Sequence, residues 1–243
     1  MRTSSSRARA AIGLGVLTTA IGAAGAATAA AQQDAPATGA TQAAPSTQPA
    51  PTATTSAAKR DSKLRITSRR LNVRAGRTAR VSGRLLPVAA GRTVTLERRG
   101  ARGWKTIDKA RTSSGGAFRL TFKARRVDTA AVRVRFSGDG QAKAAKRSAG
   151  RLNVYRPALA SWYGPGLYGN KLGCGGTLST GTVGVAHKSL PCGTKIVLRK
   201  GNRIVRARVI DRGPYVGARE FDLTAATKQR LGFGSTGTVL VAH

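Results

Sequence analysis

Asp211 and His187 lie in the stretches of this chain best suited to chemistry. Asp211 sits in VIDRGPYVGAREFDLT (Val209 to Thr224) and His187 in GVAHKSLPCGT (Gly184 to Thr194), while ASWYGPG (Ala160 to Gly166) adds aromatics and glycines. Together these are the residue types of a sugar-binding groove that holds an acid. Cleaving a glycosidic bond requires a proton on the leaving oxygen. A carboxyl group supplies it near neutral pH when its pKa is raised, usually by burial. Asp211 ends an apolar run (Ala207, Val209, Ile210) and precedes Arg212-Gly213-Pro214, which places it at a strand end on a groove rim. Arg212 would oppose protonation if it folded inward, so it is expected to point away. The other reading of Asp211 is a turn cap or a partner of Arg212. His187 is expected to bond Asp211 or a sugar hydroxyl. Its other reading is a histidine satisfied by a backbone carbonyl.

Aromatic faces bind sugar rings by apolar stacking. Trp162 and Tyr163 alternate across one strand, so only one faces the groove directly. Tyr163, beside Gly164 and Gly166, is the expected platform, and Trp162 is assigned to the core. Tyr168 and Tyr215 are further platforms, or else ordinary surface aromatics.

These residues need a scaffold, and the pattern predicts one made of strands. From Lys59 to Arg156, short runs such as VTLERR and VRVRF alternate apolar with Arg, Lys or Thr. Period two with one wet face indicates antiparallel sheet. Ser113-Ser114-Gly115-Gly116 and Ser137-Gly138-Asp139-Gly140 are turn signals. About seven such strands suggest an immunoglobulin-like β-sandwich over residues 59–156, serving as a spacer or adhesive arm. Pro157 marks the next boundary. Beyond it, strands are expected at Leu159–Trp162, Lys195–Leu198, Arg203–Ile210 and Thr238–Ala242, with one helix capped by Asp222, filled by Thr224 to Leu231 and ended by Gly232. A compact barrel with long loops fits residues 157–243. The expected class is all-β.

The chain has 243 residues, 43 Lys and Arg against nine Asp and Glu, and a formal charge of +34. Residues 59–156 hold 28 of those cations and five of the acids. Such a field attracts polyanions, here anionic wall polymers, lipid headgroups or extracellular DNA. The alternative is a composition that spreads Arg over every solvated surface. Specific nucleic-acid readout is not expected, because aromatics are 5% of the chain and no recognition helix is visible. Arg2, Arg7 and Arg9 precede an apolar run, Ala11 to Ala26, and Ala-rich cleavage sites. Residues 1–31 therefore read as a signal peptide rather than a membrane anchor, and the product as secreted to the cell wall. Residues 32–58 are almost only Ala, Thr, Gln, Pro, Ser and Gly, a disordered linker. No later run is apolar enough to span a bilayer. Cys174 and Cys192 are the only cysteines, and in an exported chain the simplest reading is one disulfide. A zinc site, or a Cys nucleophile paired with His187, is the rival. No metal or cofactor is expected, and the protein is expected to be a monomer.

Residues 159–242 resemble the double-psi β-barrel of the rare lipoprotein A family, the septal-ring lytic transglycosylases. ASWYGPG, GVAHKSLPCGT, VIDRGPYVGAREFDLT and the terminal GTVLVAH match in order. The resemblance implies a six-stranded barrel that cuts peptidoglycan glycan strands to 1,6-anhydro ends. It makes Asp211 the general acid/base, with His187 in support and Asp222 at the substrate. Relatives usually carry a Glu eleven residues before the His, and here that position is Gly176. One acid suffices for a transglycosylase, because the nucleophile is the sugar's own hydroxyl at carbon 6. The missing Glu also leaves open a non-catalytic, expansin-like module that grips polysaccharide without cutting it.

Overall fold

A computed structural model describes residues 58–243. The expected signal peptide and all but the last residue of the expected linker lie outside the described residues. No helix among the described residues is long and apolar enough to cross a membrane.

The alternating runs form strands, as period-two patterning requires. One antiparallel sheet orders β1 (Lys63–Arg70), β3 (Thr78–Leu86) and β6 (Ala117–Lys123) as β1-β3-β6. A second runs β5 (Gly103–Arg111), β4 (Thr93–Gly100), β7 (Asp128–Phe136) and β8 (Ala145–Tyr163), with β2 (Asn72–Arg74) added parallel to β8. The two enclose one core. Leu64, Val81, Leu85, Phe118 and Leu120 come from the first sheet, and Val94, Leu96, Val132, Val134 and Leu152 from the second. Fully burying each such side chain contributes about 1.5–3 kcal/mol. Most of the intervening Arg, Lys and Thr are exposed, while Thr95, Arg98 and Arg133 are half-buried.

Strand β8 runs unbroken for 19 residues through Pro157. The expected boundary is a change of partner rather than a break in the chain. Asp128 to Phe136 of β7 pair with Val154 back to Ala145, and from Arg156 onward the partner is β13 (Gly237–Ala242). Proline lacks an N–H for the ladder, and it falls just past this exchange. Tyr155, Val197 and Ala242 form a small buried cluster there.

The C-terminal half of β8 closes a ring with β12 (Phe221–Thr224), β9 (Val185–His187), β11 (Arg203–Asp211), β10 (Lys195–Lys200) and β13. The β12–β8 and β11–β9 pairs are parallel, and the others are antiparallel. This closed six-stranded barrel with one helix is the fold expected of a double-psi β-barrel. Its core holds Ala160, Val185, Ile196, Leu198, Val209, Phe221 and Leu223, among others. The helix, α1, spans Ala225–Leu231 and ends at Gly232 with φ 63°. Its N-cap corrects the expectation of Asp222. Thr224 leaves β12 with extended backbone, and its Oγ accepts from the Thr227 N–H. Asp222 lies two residues too early, inside β12, where it pairs with Ser161 and Ala186.

Candidate functional site

Four strands bring the candidate residues into one row. Asp211 at the end of β11 lies opposite Ala186 of β9, Ala186 opposite Asp222 of β12, and Asp222 opposite Ser161 of β8. Residues directly opposed in a sheet share a face. Tyr163 follows Ser161 by two and shares that face. Ser161 Oγ donates to Asp222 Oδ1. Asp211 Oδ1 accepts the N–H of Gly173 at 2.7 Å and of Arg212 at 2.8 Å. Both backbone donors fall on Oδ1, and neither engages Oδ2. Asp211 is partly open to solvent.

The half-buried Tyr163 turns its hydroxyl inward, where it is buried without a hydrogen-bond partner. Burial first, then the neighbouring Asp211 and Asp222 carboxylates, raise its pKa well above the ordinary tyrosine value. The phenol stays neutral at every physiological pH. Trp162 is half-buried against the barrel core, with Lys228 Nζ 3.6 Å from its ring centroid.

Arg212 turns away from Asp211. Its guanidinium donates to the carbonyls of His187 (3.2 Å) and Leu190 (2.7 Å) and to Cys192 Sγ (2.9 Å). It therefore ties down the 187–192 turn and leaves the carboxylate unclamped.

Cys174 and Cys192 are joined in a disulfide. The bridge fastens the loop carrying Gly173 to the turn that Arg212 holds, and Cys174 N also donates to Ile210 O at 3.2 Å. Closing 18 residues stabilises by roughly 3 kcal/mol on the loop-entropy estimate. Reduction is expected to lower the melting temperature and to release Gly173 from Asp211. Thermal melts with and without reductant check the first effect.

Gly173 is required by close approach. A Cβ there would lie 2.9 Å from Arg212 Cγ and 3.1 Å from Asp211 Oδ1. Gly173→Ala is therefore expected to displace the carboxyl while the barrel core stays intact. Misplacing a reacting group by about 1 Å costs on the order of 10²-fold in rate. Activity measured beside a melting curve checks this, since the rate should fall far more than stability does. Gly176 is exposed at φ 82°, with nothing near an added Cβ. A Glu at this position would have room but would sit in a strained backbone.

Of the two partners expected for His187, Asp211 is not one. No hydrogen bond joins it to Asp211. Its Nδ1 accepts the backbone N–H groups of Ser189 (3.1 Å) and Leu190 (2.9 Å), and its Nε2 faces Glu220 Oε1 at 3.6 Å. The ring packs on Phe221 with centroids 4.8 Å apart. The physical reason is register: His187 pairs with Phe221, one residue past the Ala186 row, so it faces the other way. There Arg156 grips both Glu220 oxygens. Burial lowers the His187 pKa, partly offset by Glu220, and burial also lowers that of His243. The Arg156 hydrogen bond holds Glu220 below its ordinary value.

Sequence reasoning missed Ser161 and Glu220. The i, i+2 spacing from Ser161 to Tyr163 was the available signal for the first. Glu220 had none, since its partner Arg156 is 64 residues away in sequence. Tyr168 (39% exposed) and Tyr215 (76%) lie on loops outside this row. Tyr168 places its hydroxyl over Gly164, and Tyr215 follows the Gly213 turn.

Residues 157–243 match the lytic transglycolase family model. The barrel is similar to that family's. Proteins named endolytic peptidoglycan transglycosylase RlpA align with it. The Campylobacter jejuni protein is 40% identical over 85 residues, covering 34% of this chain and 31% of the relative. The Neisseria meningitidis serogroup A protein is 38% identical over 84 residues, 34% of this chain and 35% of the relative. The Pseudomonas aeruginosa protein is 36% identical over 84 residues, 34% of this chain and 25% of the relative. The chain thus spans about a third or less of the length of these relatives.

Proposed function

We propose that the barrel is a peptidoglycan lytic transglycosylase, cutting glycan strands with Asp211 as general acid/base. The observation that carries this reading is the Asp211 carboxyl itself. It is fixed by two backbone N–H groups on one oxygen, free of any guanidinium, partly open to solvent, and set in a row with Asp222 and Tyr163. In the reaction, Asp211 gives its proton to the glycosidic oxygen as the bond to the anomeric carbon breaks. The carbon-6 hydroxyl of the same sugar attacks that carbon, and its proton returns to Asp211. A 1,6-anhydro end results, and no water is consumed.

In this reading Asp222, oriented by Ser161, binds sugar hydroxyls, and the Tyr163 ring on the same face is the platform for a sugar. Tyr168 and Tyr215 offer aromatic faces to flanking sugars. His187 acts by holding the 188–190 backbone. The signal peptide and linker deliver the protein to the wall as a monomer, and residues 59–156 form an immunoglobulin-like arm. Relatives that carry the RlpA name supply the substrate class.

The exposed left-handed Gly176, where the resemblance implies a Glu, favours a second reading: an expansin-like module that binds polysaccharide without cutting it. One experiment separates the two. Incubate the protein with peptide-stripped glycan strands and analyse products by mass spectrometry. Anhydro-terminated fragments support the enzyme. Salt-sensitive wall binding with no released sugar supports the binding module.

A further inference from the structure

We propose that the outer face of the β1-β3-β6 sheet binds an extended phosphodiester polymer of the poly(alditol phosphate) class. The proposal is independent of what the barrel does.

The strand register sets out this face in rows. Arg65 lies opposite Arg84, Ser68 opposite Ser82 and then Arg119, and Arg70 opposite Arg80 and then Thr121. Lys63 and Lys123 head the two outermost rows, beside Leu86 and Thr78. Every row carries at least one exposed cation, and no acid occupies the face. Rows two residues apart recur at about 6.8 Å, and strands at about 4.8 Å. The result is a flat lattice of positive charge with hydroxyls between.

Two of the cross-strand pairs, Arg65–Arg84 and Arg70–Arg80, oppose like charges directly, which is destabilising. Nearby acids do not relieve them. Asp61 pairs with Lys143, Glu97 with Arg133 and Arg135, Asp128 with Arg98, and Asp139 with Arg92. Asp108 accepts the Thr121 N–H at the sheet edge. Among the described residues no ion pair reaches a cation of this face. A polyanion laid across the rows would supply the missing counter-charge, and guanidinium forks fit phosphate oxygens well.

The face also selects among polyanions. Phe118 and Phe122 point into the core, so no aromatic is offered for base stacking. Among the described residues this sheet carries no helix that could enter a duplex groove. The face exposes no large apolar side chain to insert into a bilayer; Leu86 is half-buried. A flexible chain of phosphates and hydroxylated carbons fits what remains.

The test titrates labelled poly(glycerol phosphate) into the full chain at stepped salt concentrations. Four to seven phosphate contacts, at about 0.7 each, give a slope of log K on log salt of about −3 to −5. The variant Arg65→Gln/Arg80→Gln/Arg84→Gln/Arg119→Gln is expected to flatten that slope by about 2.8 and to weaken binding at least tenfold, on the order of its four lost contacts. Its melting temperature should hold or rise as like-charge pairs are removed, so unfolding cannot mimic the loss. A control, Arg102→Gln/Lys195→Gln/Arg206→Gln/Arg230→Gln, removes equal charge from exposed positions outside the β1-β3-β6 sheet and is expected to change binding little. Equal losses from both variants, or no loss from the first, overturn the proposal. So does tighter wild-type binding to oligothymidylate, duplex DNA or phosphatidylglycerol vesicles than to the polymer.

Discussion

Asp211→Asn is expected to reduce the initial rate of anhydro-end formation by about 10²–10⁴-fold, the usual contribution of general acid–base catalysis. The substitution isolates the proton. An Asn Oδ1 still accepts the Gly173 and Arg212 N–H groups, so the loop and melting temperature should be unchanged. Asp211→Ala is less informative, because it orphans both donors and mixes a packing defect with the chemistry. Affinity for purified wall should survive in the Asn variant, since the aromatic faces and cations remain. Mass spectrometry of glycan fragments reads the rate, and an undiminished rate removes Asp211 from its role. The products also report on Asp222. Its Cα lies two strand spacings from that of Asp211, about 9.6 Å, with Ala186 between them. Reducing ends in place of anhydro ends, lost equally on Asp222→Asn, would mean that both carboxylates act and that water is the nucleophile.

What the sequence made legible follows from how strands announce themselves. The β3 run alternates over all nine of its residues, and β4 and β11 alternate over Thr93–Leu96 and Val205–Val209, enough for a period of two to stand out. The barrel strands β9 and β12 are three and four residues long and almost wholly buried. A strand covered on both sides loses alternation, so Val185–His187 and Phe221–Thr224 read as motif rather than as strand. That omission carried into the site. Without β9 and β12 there is no register, and without register nothing separates Asp222, in the Asp211 row, from His187, one residue off it. Asp222 reads as a helix cap for the same reason, since the polar residue before the helical run is visible in the sequence and the strand holding it is not. The Asp211 strand end, the disulfide and the outward turn of Arg212 were readable because each depends on residues adjacent in sequence or on the only two cysteines present.

The histidine provides the second large effect. His187→Ala is expected to destabilise the protein by about 1–3 kcal/mol, leaving the Ser189 and Leu190 N–H groups without their acceptor. The lower end is favoured, since Ser189 is exposed to water. His187→Asn should recover most of this, because an amide oxygen can take the place of Nδ1. The pair of variants also predicts a pH signature. Burial depresses the His187 pKa below its ordinary 6.5, so its contribution to stability is complete above that value. It is lost as pH falls through the folded-state pKa, where protonation of Nδ1 would eject both backbone donors. The Asn variant should therefore lose less melting temperature than wild type on acidification below 6.5. The remaining slope belongs to His243, likewise depressed by burial, to Glu220, whose Arg156-bonded carboxylate stabilises above its ordinary 4.5 and fails below it, and at lower pH to Asp139, held below its ordinary 3.8 by the Gln141 N–H. His243→Asn separates the histidine from the carboxylates. The rate assay then decides the role of His187. An Asn variant that melts like wild type and cuts glycan at the wild-type rate marks His187 as a positioning residue. A stable Asn variant that no longer cuts would place the imidazole in the proton path, despite its facing away from Asp211.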